Sequence, residues 1–287
     1  MKISDAQNTT ISKRAFDWGR RTYIMGVLNV TPDSFSDGGD FNNVADALAQ
    51  AQAMIDAGVD IIDIGGQSTR PGAEQITIGE ECDRVLPILE AIRPLTNVAI
   101  SVDTTWSEVA AASICAGADM INDISGGTFD PEILKIVAES NVPIILMHMR
   151  GTPQTMQKLT NYDDVITEIL DFLAAQIEKA QAAGISAQKI IIDPGIGFAK
   201  NYEQNLEIFR RLNELRQLNC PILVGASRKS FIGRILNQPN PKERIWGTAA
   251  ACCAAIFNGA DIIRVHDVKE MREVSLVADA IIRGSRE

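Results

Sequence analysis

The sequence predicts an α/β protein of the (β/α)8 TIM-barrel class, with a short hairpin-like extension ahead of the barrel. Three observations predict it. Short aliphatic strands alternate with Ala- and Leu-rich helical stretches eight times along 287 residues, a length that such barrels fill as one unit. One pattern recurs. Residues 58–63 (Gly-Val-Asp-Ile-Ile-Asp), 117–122 (Gly-Ala-Asp-Met-Ile-Asn) and 259–264 (Gly-Ala-Asp-Ile-Ile-Arg) each carry a helix-ending glycine, an acid, two aliphatics and a polar residue. Finally, no Gly-x-Gly-x-x-Gly follows the first strand, which argues against an open dinucleotide-binding sheet.

Taken in order, residues 1–22 read as an N-terminal hairpin packed on the barrel, and 23–287 as a single catalytic domain. The first core strand, 23–28, runs into a polar loop over 29–39 that is closed by two glycines. Helix 44–57 has strong helix-forming composition, with Gly58 where a C-terminal cap belongs. Strand 59–64, the loop Gln67-Ser-Thr-Arg-Pro-Gly72 and helix 79–93, stopped by Pro94, come next. Strand 98–102 delivers Asp103; helix 107–116 and Gly117 precede strand 120–121, which delivers Asn122 and Asp123. Helix 131–140, strand 143–147 with His148, helix 162–183, strand 190–192 with Asp193 and helix 201–218 continue the alternation. Strand 222–225 delivers Ser227, Arg228 and Lys229; helix 245–258, strand 262–263 with Arg264 and His266, and helix 269–283 complete it.

Composition narrows the function. Hydrophobic residues make up 46% and aromatics 5%, which suits an aliphatic parallel sheet buried on both faces. No apolar stretch reaches the roughly 18 residues of a membrane span, and the first residues lack the apolar block of a signal peptide. A cytoplasmic protein with no membrane partner is expected. Five scattered cysteines without Cys-x-x-Cys spacing argue for reduced thiols. The net charge of −10 disfavours nucleic acid. An anionic small substrate remains compatible, because screening over about 8 Å lets a local basic cluster dominate.

In a βα barrel the active site lies at the C-terminal ends of the strands. Those ends carry Asn29, Asp63 (with Thr69 and Arg70 beyond it), Asp103, Asn122, His148, Asp193, Lys229, Arg264 and His266. Caps explain one such residue but not a ring of them, because converging charges are costly to desolvate without a ligand. Asp103, Asn122, Asp193 and Lys229 mix acceptors with donors and suit the edge of a planar heterocycle. A two-carboxylate glycosidase and a hard-cation site stay open on the residues alone. Arg264, His266, Arg70 and the run 227–230 form a basic half, placed where barrels often bind phosphate.

Seven stretches together resemble the dihydropteroate synthase family, and the match spans nearly the whole chain from Tyr23 onward. They are 25–39 (Met-Gly-Val-Leu-Asn-Val-Thr-Pro-Asp-Ser-Phe-Ser-Asp-Gly-Gly), 63–72 (Asp-Ile-Gly-Gly-Gln-Ser-Thr-Arg-Pro-Gly), 101–104 (Ser-Val-Asp-Thr), 121–124 (Ile-Asn-Asp-Ile), 193–198 (Asp-Pro-Gly-Ile-Gly-Phe), 225–230 (Gly-Ala-Ser-Arg-Lys-Ser) and 264–267 (Arg-Val-His-Asp). The resemblance implies a transferase of folate biosynthesis that joins 7,8-dihydropterin-6-ylmethyl diphosphate to p-aminobenzoate, with Mg²⁺ as cofactor. It also implies sulfonamide competition at the aminobenzoate site, and a homodimer.

Carried over by motif, it places Asp103, Asn122, Met147, Asp193, Phe198, Gly225 and Lys229 on the pterin. Asn29, Thr69, Arg264 and His266 fall to the diphosphate, with Asn29 also on the metal. Phe35, Arg70, Ser227 and Lys229 fall to the aminobenzoate. The catalytic set it implies is Asn29, Asp37, Arg70, Lys229, Arg264 and His266, Asp37 being placed to stabilise a cationic intermediate. Residues 31–39 are expected to act as a lid. Gln67 stands where the family commonly has Glu, removing a charge near Arg70, and Ile196 where an aromatic is frequent. The alternatives are a methyltetrahydrofolate–corrinoid methyltransferase, which needs neither the 225–230 run nor the 29–39 loop, and a non-catalytic pterin-binding protein.

Overall fold

The computed structural model describes residues 8–11, 14–31 and 40–284. Strands β1 (Asn8–Ile11) and β2 (Arg14–Asp17) pair antiparallel as a hairpin. The barrel strands are β3 (Tyr23–Asn29), β4 (Ile61–Gly65), β5 (Ala99–Asp103), β6 (Met120–Asp123), β7 (Ile144–Met147), β8 (Ile190–Asp193), β9 (Leu223–Val224) and β10 (Ile262–Val265). They hydrogen-bond in the order β8-β7-β6-β5-β4-β3-β10-β9. A parallel bridge between Ile192 and Ile222 closes β8 onto β9, beside an Ile192 N–H to Pro221 carbonyl bond of 3.0 Å. Around the sheet run α1 (Asp40–Asp56), α2 (Ile78–Ile92), α3 (Ser107–Cys115), α4 (Glu132–Ser140), α5 (Val165–Ala182), α6 (Tyr202–Arg211), α7 (Ser230–Leu236), α8 (Ile245–Phe257) and α9 (Val268–Arg283).

Strand periodicity explains how the site is assembled. Each barrel strand sends an apolar side chain into one interior cluster: Tyr23 and Met25, Ile61, Ala99, Met120, Ile145, Ile191, Leu223 and Ile262. Side chains two residues apart share a face. The same interior face therefore next receives Asp63, Ser101 then Asp103, Asn122, Met147, Asp193, Gly225 and Arg264. The intervening residues, such as Ile62, Ile100, Ile121, Ile144 and Ile263, pack outward against the helices. A single alternation thus builds an apolar floor with a polar ring above it.

The hairpin covers the opposite end. Ile11, Phe16 and Trp18 belong to the same interior cluster, with ring centroids 4.6 Å apart for Phe16–Tyr23 and 5.1 Å for Trp18–Tyr23. Burial of three aromatics there (about 1.5–3 kcal/mol each) seals the barrel away from the site.

The recurring pattern has a structural cause. Asp60 accepts the Ile24 N–H at 2.9 Å, Asp119 that of Ile100 at 2.8 Å and Asp261 that of Ile222 at 3.0 Å. Each acid also pairs with an arginine, Arg21, Arg93 and Arg216 respectively. The acid ties the start of its strand to a neighbour, and Gly58, Gly117 and Gly259 end the preceding helices at φ of +79°, +107° and +101°.

The structure departs from the expected elements twice. The helix expected over 201–218 is α-helical only to Arg211 and continues as a 3₁₀ segment, Leu212–Leu218. Leu212 and Leu215, both buried, lie three apart, and the tighter helix eclipses that spacing onto one line. Helix α7 was not expected: it is short, holds Gly233 and has no side-chain bond at its N-cap. The reason is tertiary: a Cβ on Gly233 would lie 2.5 Å from Arg244 Cζ. The Arg244 guanidinium also donates to the carbonyls of Arg228, Gln238 and Pro239, fixing the helix from outside its own sequence.

Candidate active site

At the centre of the polar ring is Asp63, which has no exposure. Its Oδ2 accepts from Arg264 Nε at 2.6 Å and from Asn122 Nδ2 at 3.1 Å, while its Oδ1 is buried without a partner. Arg264 reaches on with Nη2 to Asp103 Oδ2 at 2.8 Å. One guanidinium therefore clasps two carboxylates from β4 and β5, and one carboxylate joins β4 to β6 and β10. Gly65 keeps the tip of this assembly open: a Cβ there would meet Asn29 Oδ1 at 3.6 Å and Asp103 Cβ at 3.7 Å.

The loop after β8 builds the next wall. Asp193 Oδ1 accepts the Gly195 N–H at 2.7 Å. Phe198 lies under Lys229, whose Nζ is 4.3 Å from the ring centroid. Phe198 also belongs to an apolar cluster with Ile124, Met147, Met149 and Met156. A flat face of apolar atoms thus adjoins carboxylates, an amide and a lysine.

On the basic side, the Ser227 hydroxyl accepts the His266 backbone N–H at 3.2 Å and lies 3.0 Å from His266 Nδ1. Arg228 takes a different part. Its backbone is left-handed at φ +61°, and its guanidinium pairs with Asp267 at 2.5 and 3.1 Å. It is a brace within the basic run, whereas Ser227, Lys229, Arg264 and His266 remain together.

Burial governs the charges. It pushes Asp103 up to about 7 despite Arg264 beside it, with Asp63 and Glu81 adding to the rise. Asp193 rises to about 6, also through burial, opposed by the Gly195 N–H and by Lys229. Lys229 falls to about 8 through burial and the nearby Arg264. His266 falls to about 3 through burial beside Arg228 and Arg264, so the free site holds a neutral imidazole there.

The loop after β4 roofs a cleft lined by Thr69, Gln67, Glu81, Asp103, Thr104 and Trp106, among others. The cleft meets the polar ring at Asp103. Gln67, expected to remove a charge near Arg70, is held within its own loop. Its Oε1 accepts the Ile76 N–H at 2.8 Å and its Nε2 donates to the carbonyls of Glu74 and Ser68 at 2.9 and 2.7 Å, so the amide braces its own loop. Arg70 is exposed. Ile196 is buried in the main core. Phe35, Asp37 and the expected lid over 31–39 lie outside the described residues, Thr31 excepted.

Other buried polar groups carry no assignment from sequence. His148, named among the strand-end residues, does not join the ring; its Nδ1 is 2.9 Å from Lys200 Nζ, and its ring stands edge-on to Phe172. Lys200 itself follows no strand end directly and reads as a surface lysine. Glu81, buried on α2, sits in a helical pattern that gives no sign of the cleft.

Comparison with known proteins agrees with this geometry. The family model described as pterin binding enzyme matches residues 25–266. The dihydropteroate synthase of Synechocystis sp. is 58% identical over 273 residues, covering 95% of this chain and 94% of that protein. The crystal structure of the Yersinia pestis dihydropteroate synthase with a sulfonamide drug complex superposes with a TM-score of 0.89 at 45% identity, over 96% of this chain and 98% of that one. The Xanthomonas albilineans dihydropteroate synthase with 4-aminobenzoic acid gives 0.90 at 39% identity, over 96% and 98%. The ring of strand-end residues and the similarity along almost the full length of both chains converge: this chain belongs to the pterin-binding enzymes, as a member of the dihydropteroate synthase family.

Proposed function

We propose that the chain condenses 7,8-dihydropterin-6-ylmethyl diphosphate with p-aminobenzoate, releasing 7,8-dihydropteroate and pyrophosphate. The observation that carries the reading is the Arg264 clasp, which ties the acceptors proposed for the pterin to the cation proposed for the diphosphate. Asp103, Asn122, Asp193 and Lys229 offer the hydrogen-bonding edge that a pterin ring demands, and Met147, Phe198 and Gly225 its apolar faces. Asn29, Thr69, Arg264 and His266 are assigned to the diphosphate. Ser227, Lys229, Arg70 and Phe35 are assigned to the aminobenzoate, and Asp37 to stabilising the developing cation.

In this mechanism the methylene C–O bond breaks first and its electron pair leaves on pyrophosphate. The aryl amine then forms the new C–N bond and loses a proton. Fixed donors aimed at the departing oxygens favour the first step. Arg264 is already oriented by two carboxylates, so little reorganisation is needed. Magnesium fits the residues present: Asn29 Oδ1 and Asp103 Oδ2 both lie within 4 Å of where a Cβ on Gly65 would stand, and Mg²⁺ is a hard cation that takes oxygen ligands together with substrate phosphates. Asn29, beside the open strand tip, would supply the protein oxygen. When bound, the ion neutralises charge that collects on the leaving diphosphate. Incubation with the pterin diphosphate, Mg²⁺ and labelled p-aminobenzoate should give labelled dihydropteroate. Its absence would return the protein to the methyltransferase or binder readings.

A homodimer belongs to the same proposal. Phe257, Val277 and Ile281 on α8 and α9 are exposed and line a groove with Cys253 and Val274, a surface that a second copy would cover. A cytoplasmic setting is also proposed. All five cysteines are free, and among the described residues no helix is long and apolar enough to cross a membrane.

A further inference from the structure

We propose that Lys200 is a positioning residue for this reaction, a buried amine that holds the loop after β8 in the shape that presents Asp193 and Phe198 to the pterin. The inference rests on the function proposed above. Lys200 is 2% exposed. Its Nζ donates to the carbonyls of Phe198 at 2.9 Å and His148 at 3.3 Å, and lies 2.9 Å from His148 Nδ1. It thereby ties the exit of β7 to the exit of β8 from behind the site.

The loop needs such a tie. Gly195, Gly197 and Ala199 all have left-handed backbones, at φ of +70°, +83° and +50°. For alanine that conformation is disfavoured and persists only where surroundings impose it. A Cβ on Gly195 would lie 2.0 Å from the His148 carbonyl oxygen and 3.3 Å from Lys200 Nζ, so the amine packs beneath the residue whose N–H holds Asp193. Two further groups complete the frame. Tyr162 donates to the Ala199 carbonyl at 3.0 Å, and Asn205 accepts the Gly197 N–H at 2.6 Å while donating to the Lys200 carbonyl at 3.2 Å.

Charge adds a second consequence. Asp193 faces Lys229 from the end of β9, Arg264 from β10 and Lys200 from its own loop, and each favours its carboxylate. Burial holds the Lys200 amine well below the ordinary lysine range; Asp193 favours its charged form, whereas Arg150 and Lys229 oppose it, and His148 lies beside it. Removing the Lys200 amine takes away one of the groups that favour the Asp193 carboxylate and leaves Lys229 and Arg264 in place, so the midpoint at which Asp193 takes up a proton should move upward.

Lys200→Met and Lys200→Gln test the proposal through steady-state kinetics and through the pH dependence of binding of a 6-hydroxymethyl pterin. Lys200→Met should raise KM for the pterin diphosphate roughly ten- to a hundredfold, the scale of leaving buried carbonyls unpaired. KM for p-aminobenzoate should stay within about twofold, and the pterin-binding midpoint should move to higher pH. Lys200→Gln keeps donors for the two carbonyls, so it should recover part of the KM but not the midpoint. An unchanged pterin KM, or equal losses in both KM values and kcat without a midpoint shift, would overturn the proposal. So would failure of both variants to fold, which would make Lys200 a determinant of folding alone. The wild-type protein serves as the control: if it neither binds the pterin nor forms dihydropteroate, the functional reading itself fails.

Discussion

At the scale of single residues, the Arg264 clasp changes what a substitution should do. Roles carried over by motif divide the site into a pterin half and a diphosphate half, and on that division Arg264→Ala would spare the pterin pocket. With Arg264 bound to both Asp63 and Asp103, its removal leaves two buried carboxylates unpaired. Arg264→Ala should therefore lower stability by about 3–5 kcal/mol and weaken binding of a bare pterin as well as the diphosphate. His266→Ala, whose side chain meets only Ser227 in this network, should weaken diphosphate binding alone. Calorimetric titration of both ligands separates the two cases; a bare-pterin affinity retained in Arg264→Ala would contradict the clasp.

Glu81 gives a pH-dependent test at the same scale. Burial raises it from 4.5 to about 7, against a hydrogen bond with Thr104 and the charge of Arg84. Because the folded value lies above the unfolded one, the group's stabilising contribution is complete below about 4.5 and is lost as pH rises through about 7. Glu81→Gln removes the buried charge. It should stabilise the protein by about 1–3 kcal/mol at pH 8 and change it little near pH 4.5. Thermal melts at the two pH values decide it, and an equal shift at both would reject the buried-charge account.

At the scale of elements, the loop after β8 and helix α6 form one unit. Asn201 caps α6 by accepting the Gln204 N–H at 2.9 Å, while the Gln204 side chain accepts the Asn201 N–H at 2.8 Å. This reciprocal box is readable in the sequence as Asn-x-x-Gln. Asn201→Ala should cost about 1 kcal/mol in urea unfolding, with activity preserved in the folded fraction. Gly195→Ala is a harsher change on the same unit. It forces a Cβ into the His148 carbonyl at positive φ and should abolish pterin binding even where the protein still folds. A functional Gly195→Ala enzyme would show that the loop is not held as described.

The elements also show where reading the chain in order succeeds and where it stops. Strand ends at Asp63, Asp103, Asn122, Asp193 and Arg264 were legible because period-2 alternation and a terminal polar residue are local signals. Helix α7 and the 3₁₀ turn after Arg211 were not. The first depends on Arg244 arriving from a later loop, and the second on which leucines the core buries.

For the whole molecule, the exposed apolar face of α8 and α9 is where assembly should be visible. Val277 and Ile281 are 62% and 70% exposed and line the groove between α8 and α9 with Phe257 and Val274. Sedimentation should find a dimer that Val277→Lys with Ile281→Glu converts to a monomer. A wild-type monomer at micromolar concentration would remove the homodimer from the proposal.

By itself the sequence determined the class of fold, the order of the strands and of the helices other than α7, and which residues stand at the strand ends. These are encoded in periodicity, caps and composition, all within reach of a few neighbours along the chain. Only the tertiary structure decided what those residues are joined to. Asp63 touches Arg264 across 201 positions of chain and Asn122 across 59, and Lys200 meets His148 across 52. Such pairs are created by closing the barrel, and what each buried charge does depends on the partner that closure supplies.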